Sequence, residues 1–481
     1  AAFTNILKYL DTKKKVKLLF AAISFSLGYL SKFDVVPLIA IIPVVVFKKY
    51  KTNYKTIIIL ASAFVFAYIM YRMTKGLMLD RNAVQGTRIY QYFENPLNFE
   101  HEFIDRISAG FNSLGFYVKM LCWPNKMACY YGYNAIPIFS FTSFYALIGL
   151  STSALLGYLF FNRFKKPDML WFGVVFFVGF ISMYLNVAIP AAGIVADRFM
   201  FFASIGFSIA VVYLVLKLDK TKTKITKWKD LKSSQKAIPA IIFVIFTFLI
   251  INRNTEWKSK SDLFAADVKK YPESVKLSLL TTSQLIIDLN NKEKADALSN
   301  NDKLKKIRDA EITLKKAIRT DSSCGGCYNN LSFMYLTFER NPAEALPYLK
   351  LGYKRDTAKK EVICNLGIAY FRLGDIENAK KFLFLAIKHD KKKDFTVPYE
   401  VLQDLYSRTN IGEGIAFFHH KLKENPNSEL YNVLIGKTYF EAKDTLNSIK
   451  FYKEALKINP NNSNVADFVT KLEVKYFKSD W

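Results

Sequence analysis

Asn365-Leu366-Gly367-Ile368-Ala369-Tyr370-Phe371-Arg372-Leu373-Gly374-Asp375, continued by Ala379 and Ala386, is the stretch on which the fold turns. Small and bulky residues recur here at helical spacing, break at Gly374-Asp375 and then resume. The spacing predicts a helix, a tight turn and a second helix packed back on the first. The same beat runs on both sides. Ala310, Ala345, Ala379, Gly414 and Ser448 recur at intervals of 35, 34, 35 and 34 residues. Ala317, Gly352, Ala386, His420 and Ala455 follow them at 35, 34, 34 and 35. Leu331, Leu366, Val401 and Ile435 keep the period, as do Tyr335, Tyr370, Leu405 and Tyr439, and Pro426 and Pro460 close successive repeats. Small residues let paired helices approach closely, and the bulky ones fill the groove between them.

A 34-residue helix pair with this composition is the tetratricopeptide pattern. About five units are expected over 273–481. Leu277–Leu289 and Asp309–Ile318 form the first, split by the polar insertion Asn290–Asp302, and Val465–Phe477 is a solvating cap helix. Such a solenoid offers a groove to an extended peptide or protein, or scaffolds a neighbouring subunit.

The first half obeys different physics. Apolar runs at Val16–Leu30, Val35–Phe47, Thr56–Tyr71, Phe139–Phe161, Met169–Asn186, Phe199–Leu216 and Ala237–Ile251 are expected as about seven membrane spans. The fold class is therefore all-α: a polytopic transmembrane bundle over 1–254, a connector helix over 255–272, and the solenoid. The chain holds 68 Lys and Arg against 41 Asp and Glu, a formal charge of +27. Many of these lysines flank apolar runs, where they meet anionic headgroups and fix orientation, so nucleic acid is not the expected partner. The basic loops Lys13–Lys17, Lys48–Lys55, Arg163–Lys166 and Lys217–Lys236 belong on the cytoplasmic side. The loop 76–138 then faces outward, with Phe103–Leu121 lying along the interface or re-entering on a face of Ile104, Ile107, Phe111 and Leu114. The last span delivers the repeats to the outer side. Abundant Lys, Asn, Ile and Phe point to a bacterium, hence to its inner membrane with the repeats in the periplasm.

Three stretches carry a further signature: Tyr130-Tyr131-Gly132-Tyr133-Asn134-Ala135-Ile136-Pro137 after Leu121-Cys122-Trp123-Pro124; Ala196-Asp197-Arg198-Phe199 through Gly206; and Arg253-Asn254-Thr255-Glu256-Trp257-Lys258. In that order, followed by the repeats, they resemble the transmembrane and tetratricopeptide-repeat protein O-mannosyltransferases and their bacterial relatives, glycosyltransferases that use polyprenyl-phosphate sugars. The resemblance implies transfer of a sugar such as mannose to Ser or Thr of extracytoplasmic proteins, the repeats recruiting the acceptor. The alternative is a non-catalytic membrane scaffold whose repeats assemble an envelope complex. The family often has Glu after the Ser-Lys of the first hairpin turn, where this chain has Phe33 and Asp34. The family's catalytic acid lies in an outward loop between the first two spans, expected upstream of residue 1, so no catalytic residue is assigned within the chain.

Transfer from a lipid phosphate needs cationic groups for the leaving phosphate and a membrane-level groove for the tail. Arg198 is the candidate phosphate contact with Asp197 orienting it, or the two form a structural pair. Lys32 faces the donor or is neutralised by Asp34. Tyr131, Tyr133 and Asn134 stack on and bond to a sugar or acceptor, or fasten their loop to the body. Arg253 and Trp257, four apart, anchor the last span at the interface. Cys324 and Cys327 are spaced for a local disulfide, and Cys122 could pair with Cys129. No covalently bound cofactor, divalent metal or metal-ligand spacing is indicated. The expected partners are membrane lipids, the donor, and a peptide on the repeat groove.

Overall fold

The computed structural model describes residues 1–31, 35–50, 91–99, 102–217, 231–391 and 393–478, the side chains of 49, 50, 477 and 478 excepted. Lys32 with its hairpin turn and the expected span Thr56–Tyr71 lie outside the described residues. The chain divides into two compact units, Ala1–Asp288 with Arg319–Ser323, and Leu289–Ile318 with Cys324–Trp481.

The first unit is helical. α1 (Ala2–Thr12), α2 (Val16–Ser31) and α3 (Leu38–Tyr50) precede a short 3-10 turn at Pro96–Asn98. α4 (Phe103–Cys122), α5 (Phe144–Arg163), α6 (Met169–Ile181), α7 (Phe201–Lys217) and α8 (Ser233–Thr255) complete the apolar part, and α9 (Lys260–Lys270) and α10 (Val275–Asn290) follow. Three segments are long and apolar enough to cross a membrane: Phe144–Arg163, Asp197–Lys217 and Ser233–Thr255. Val16–Ser31, Leu38–Lys48 and Met169–Tyr184 are shorter apolar helices.

Glycine sets the closest contacts. A Cβ on Gly149 would overlap the Phe111 carbonyl, and one on Gly115 would overlap the Tyr145 carbonyl, so α4 and α5 meet backbone to backbone. α6 and α7 repeat the device through Gly173 and Gly206. Apolar side chains gain little from one another in lipid, so close packing of this kind is what holds spans together. α4 packs deeply into the body. Its buried side carries Ser108, Ala109, Asn112, Leu114, Phe116 and Tyr117, while Ile104 stays exposed. The helix is set into the body by small and polar residues together with Leu114, Phe116 and Tyr117, so of the stripe read from the sequence Leu114 is buried and Ile104 is exposed.

α10 begins where the first repeat was expected, yet it belongs to the first unit up to Asp288. Leu277 is fully buried in that unit's core, Ser274 Oγ donates to the Tyr131 carbonyl at 2.7 Å, and Lys276 pairs with buried Glu94 at 3.1 Å.

In the second unit α11 (Lys292–Asp296) and α12 (Asn300–Thr320) lead into four helix pairs. These are α13 (Gly325–Thr337) with α14 (Pro342–Arg355), α15 (Lys360–Arg372) with α16 (Ile376–His389), α17 (Val397–Thr409) with α18 (Ile411–Glu424), and α19 (Glu429–Glu441) with α20 (Thr445–Ile458). α21 (Ser463–Lys478) closes the array, burying Val465, Val469 and Leu472 with Ile449 and Tyr452. The second helix of every pair starts at an Asn or Asp whose side chain accepts from the backbone three residues on: Asn341, Asp375, Asn410 and Asp444. An aromatic pair then locks first helix to second. Tyr335 lies on Tyr348, Tyr370 on Phe382, Tyr406 on Phe417 and Tyr439 on Phe451, with ring centroids 5.9, 5.5, 5.9 and 5.7 Å apart. The third pair corrects the sequence register. Tyr406, not Leu405, fills the aromatic place, and Leu402, fully buried, replaces half-buried Val401. The longer connection before α17 displaces that helix by one residue.

Gly149→Val places a branched side chain against the Phe111 backbone and is expected to destabilise the body by more than about 3 kcal/mol. Gly157→Val, on the same helix with open space at its Cβ, is the control that keeps the wild-type melting curve in detergent. Equal melting of the two variants would remove the backbone contact from the account.

Candidate functional site

The three signature stretches, distant in sequence, meet in the first unit. Tyr131 is fully buried; its hydroxyl donates to Asp197 Oδ1 at 2.7 Å and accepts from the Ala128 N–H at 3.1 Å. Its ring stands edge-on to Phe116 and Tyr271. Burial, followed by the nearby Asp197 carboxylate, pushes the phenol far above its ordinary range, so Tyr131 serves here as a donor.

The third stretch enters through Arg253 at the end of α8. Its guanidinium holds Asp267 through two bonds, 2.6 and 3.2 Å, and also meets Glu256. The Asp267 side chain is 0% exposed and that of Arg253 10%. Asp267 Oδ2 also accepts from the Cys129 N–H at 2.7 Å, which ties the tyrosine loop to α9. Lys270 bonds Glu256 at 2.5 Å and the Met127 carbonyl at 3.1 Å. Burial acts to raise Glu256, but Lys270 and Arg253 together hold it below the usual carboxylate range. The Cys129 thiol is pushed up to about 12, first by burial and then by Asp267. Cys122 and Cys129 are free thiols, not a pair. Trp257 is mostly exposed, with the Arg253 guanidinium 5.5 Å from its ring.

A buried amide network shapes the approach to Asp197. Asn95 Nδ2 donates to Asn186 Oδ1 at 3.0 Å and to the Ala191 carbonyl at 2.7 Å, and Asn186 Nδ2 donates to Ser113 Oγ and the Ile194 carbonyl. Ile194 is fully buried with φ of 65°, a conformation a β-branched residue adopts only when its surroundings impose it. Gly193 at φ 83° lies against the Tyr130 ring, where a Cβ would come to 3.0 Å.

Arg198 is exposed, its guanidinium 5.0 Å from the Phe199 ring, and among the described residues it makes no ion pair with Asp197. Tyr133 and Asn134 do not join the Tyr131–Asp197 contact. They line a separate cavity of about 440 Å³ with Ile136, Pro137, Ile138, Phe139, Ser140 and Glu273. In the second unit Cys324 and Cys327 are joined by a disulfide at the head of α13, both fully buried.

Sequence reading missed Asp267, Glu256 and Lys270. One signal existed for the first. Leu263 and Asp267, four apart, are the buried residues of α9, so the acid occupies a core position on an otherwise polar helix. Asn95 and Asn186, isolated polar residues in long loops, gave none.

The second unit offers a different surface. The first helices follow one another, α13 beside α15, α15 beside α17 and α17 beside α19, so they line one face of the array. Side chains step along it. Asn365 donates to Asn329 at 3.0 Å, Arg372 donates to the Leu336 carbonyl, the Arg408 guanidinium stands 5.4 Å from the Phe371 ring, and Lys437 meets Asp404 at 2.9 Å.

A tetratricopeptide repeat family model matches residues 361–392 and 431–462. No curated protein matches the chain. Among solved structures, a TPR protein described as having an unusual peptide-binding site, YrrB, is similar at 15% identity and a TM-score of 0.30, over 44% of this chain and 99% of its own. The type IV pilus biogenesis factor PilW is similar at 14% and 0.34, over 46% and 94%. A thermophilic TPR protein of Thermus thermophilus is similar at 14% and 0.31, over 42% and 99%.

Asp267→Asn leaves Arg253 without its buried counter-charge and is expected to cost about 3–5 kcal/mol. The same change removes a carboxylate beside Cys129, so alkylation of that thiol at pH 8, slow in the wild type, accelerates. Unchanged alkylation with an unchanged melting temperature would show that the pair carries nothing.

Proposed function

We propose that the protein is a membrane-anchored tetratricopeptide adaptor that holds an extended segment of a protein partner along the face formed by its first helices. The observation that carries this is the regular succession of α13, α15, α17 and α19 on one side of the array. The fold is a protein-interaction fold, and the row there combines a half-buried aromatic ring, Phe371, with the exposed cations Arg372 and Arg408. That mixture suits a segment with apolar and acidic side chains. The repeats lie on the side of the membrane opposite the lysine-rich loops. Two features support this sidedness: the basic residues flanking the spans, and a disulfide within the array, which persists in oxidising compartments.

A second reading has its own support. The three stretches that resemble the polyprenyl-phosphate-dependent O-mannosyltransferases converge around Tyr131, Asp197 and Arg253, and exposed Arg198 stands at the head of a candidate span. In that reading Arg198 takes the donor phosphate, and the Tyr133–Asn134 cavity takes sugar or acceptor. Full-length protein incubated with labelled polyprenyl-phosphate mannose and an acceptor polypeptide then transfers sugar, and Arg198→Ala loses transfer while keeping its melting curve. No transfer by the wild type eliminates this reading and leaves the adaptor untouched.

For the adaptor, a photo-reactive phenylalanine replacing Phe371 in the full chain should cross-link a discrete partner in membranes. The same reporter replacing Leu351, an exposed residue of a second helix, should not. Arg372→Glu with Arg408→Glu should cut capture roughly tenfold or more. Equal capture from both faces would sink the proposal.

A further inference from the structure

We infer that the membrane body holds an anionic phospholipid, its acyl chain in a cavity between α3, α5 and α6 and its phosphate at Lys48. The cavity measures about 430 Å³, and Ala40, Val44, Leu156, Gly157, Phe160 and Val178 are among its walls. Among the described residues that line it, the hydroxyl side chains are Ser153 and Ser182. Each donates back to its own helix, to the Gly149 and Gly179 carbonyls at 2.8 and 2.9 Å, so neither is left to hold water. A space lined this way stays dry. Among helices that face lipid, hydrocarbon is the phase that reaches it, and an acyl chain that enters leaves water but gains little over the surrounding bilayer. The chain alone therefore explains occupancy, not selectivity.

Selectivity comes from one end of the cavity. Lys48 lies one helical turn beyond Val44 on α3, its Nζ 3.2 Å from the centre of the Phe164 ring. Phe164 in turn lies 5.5 Å from the Phe160 ring that walls the cavity. The neighbouring cation, Arg163, is occupied, paired with Asp168 and donating to Tyr213 at 3.0 Å. Among the described residues no carboxylate meets Lys48. Exposed Lys165 and Lys166 follow directly. An apolar slot that ends on a lysine without a carboxylate partner, with two more lysines beside it, has the form of an anionic headgroup site on the side of the basic loops. It is distinct from the Arg198 end, where the second reading would seat a donor phosphate.

The test uses the full chain, delipidated in neutral detergent and titrated by native mass spectrometry with phosphatidylglycerol or phosphatidylcholine of identical acyl chains. Phosphatidylglycerol should bind at lower concentration. Lys48→Gln should weaken it roughly fivefold while leaving phosphatidylcholine unchanged. Gly157→Leu, which projects into open space at its Cβ and is checked by its melting curve, should weaken both lipids. Millimolar inorganic phosphate should displace neither. Equal binding of the two lipids overturns the assignment, as does a phosphatidylglycerol preference that survives Lys48→Gln. Indifference of both lipids to Gly157→Leu would place the chain elsewhere, and displacement by phosphate would reduce the site to a headgroup contact.

Discussion

The bidentate contact between Arg253 and Asp267 governs how the last span ends. A guanidinium at the edge of a membrane helix and a carboxylate with no solvent exposure are each costly alone. Joined at 2.6 and 3.2 Å, with the Cys129 N–H filling a further acceptor position on the carboxylate, they become a fixed corner. That corner turns the chain from α8 into α9 and pins the loop that carries Tyr131. Tyr131 then reaches Asp197, and Ser274 closes on the Tyr131 carbonyl. A membrane helix, the loop carrying Tyr131, the head of another span and the start of α10 are thus held by one short chain of hydrogen bonds, most of them charge-assisted.

The opposite end of the body is organised by cations and rings. Lys48 stands on Phe164, Arg163 donates to Tyr213, and Lys217 lies 5.7 Å from that same ring. Three basic segments far apart in sequence therefore gather at one end. This is what charge sorting across a bilayer requires, because lysines that share a leaflet must share an end of the bundle. Arg163 lies at the end of α5 and Asp168 caps α6, so their pair also closes the turn between two apolar helices.

The repeats were the most legible part of the sequence because their signal is redundant. Ala345, Ala379, Gly414 and Ser448 each mark the close approach of a second helix, and Asn341, Asp375, Asn410 and Asp444 each mark its start. The misreadings in the third pair, Val401 for Leu402 and Leu405 for Tyr406, arose where the connection before α17 is longer and strict periodicity no longer tracks geometry. In the membrane body periodicity fails for a deeper reason. α4 buries serines, an asparagine and glycines beside Leu114, Phe116 and Tyr117, because close helix packing in lipid rests on small and polar residues that apolar periodicity does not mark. The convergence at Asp197 could be suspected from the order of the signature stretches, but its true partners, Tyr131 from one loop and Arg253 through Asp267, are tertiary contacts that no local pattern encodes.

Sidedness is where charge and covalent chemistry can be set against each other. The lysine loops concern the first unit only; the Cys324–Cys327 disulfide concerns the second only. They share no residue and no mechanism. Were the repeats on the same side as the lysines, a buried disulfide would sit in a reducing compartment. Were the lysines on the outer side, three basic loops would face the wrong leaflet. The proposed sidedness, cations inward and repeats outward, is the one that meets both constraints. An adaptor for exported proteins and an enzyme that modifies them would both require that arrangement, and for that reason the two readings separate on chemistry at Arg198 and not on topology.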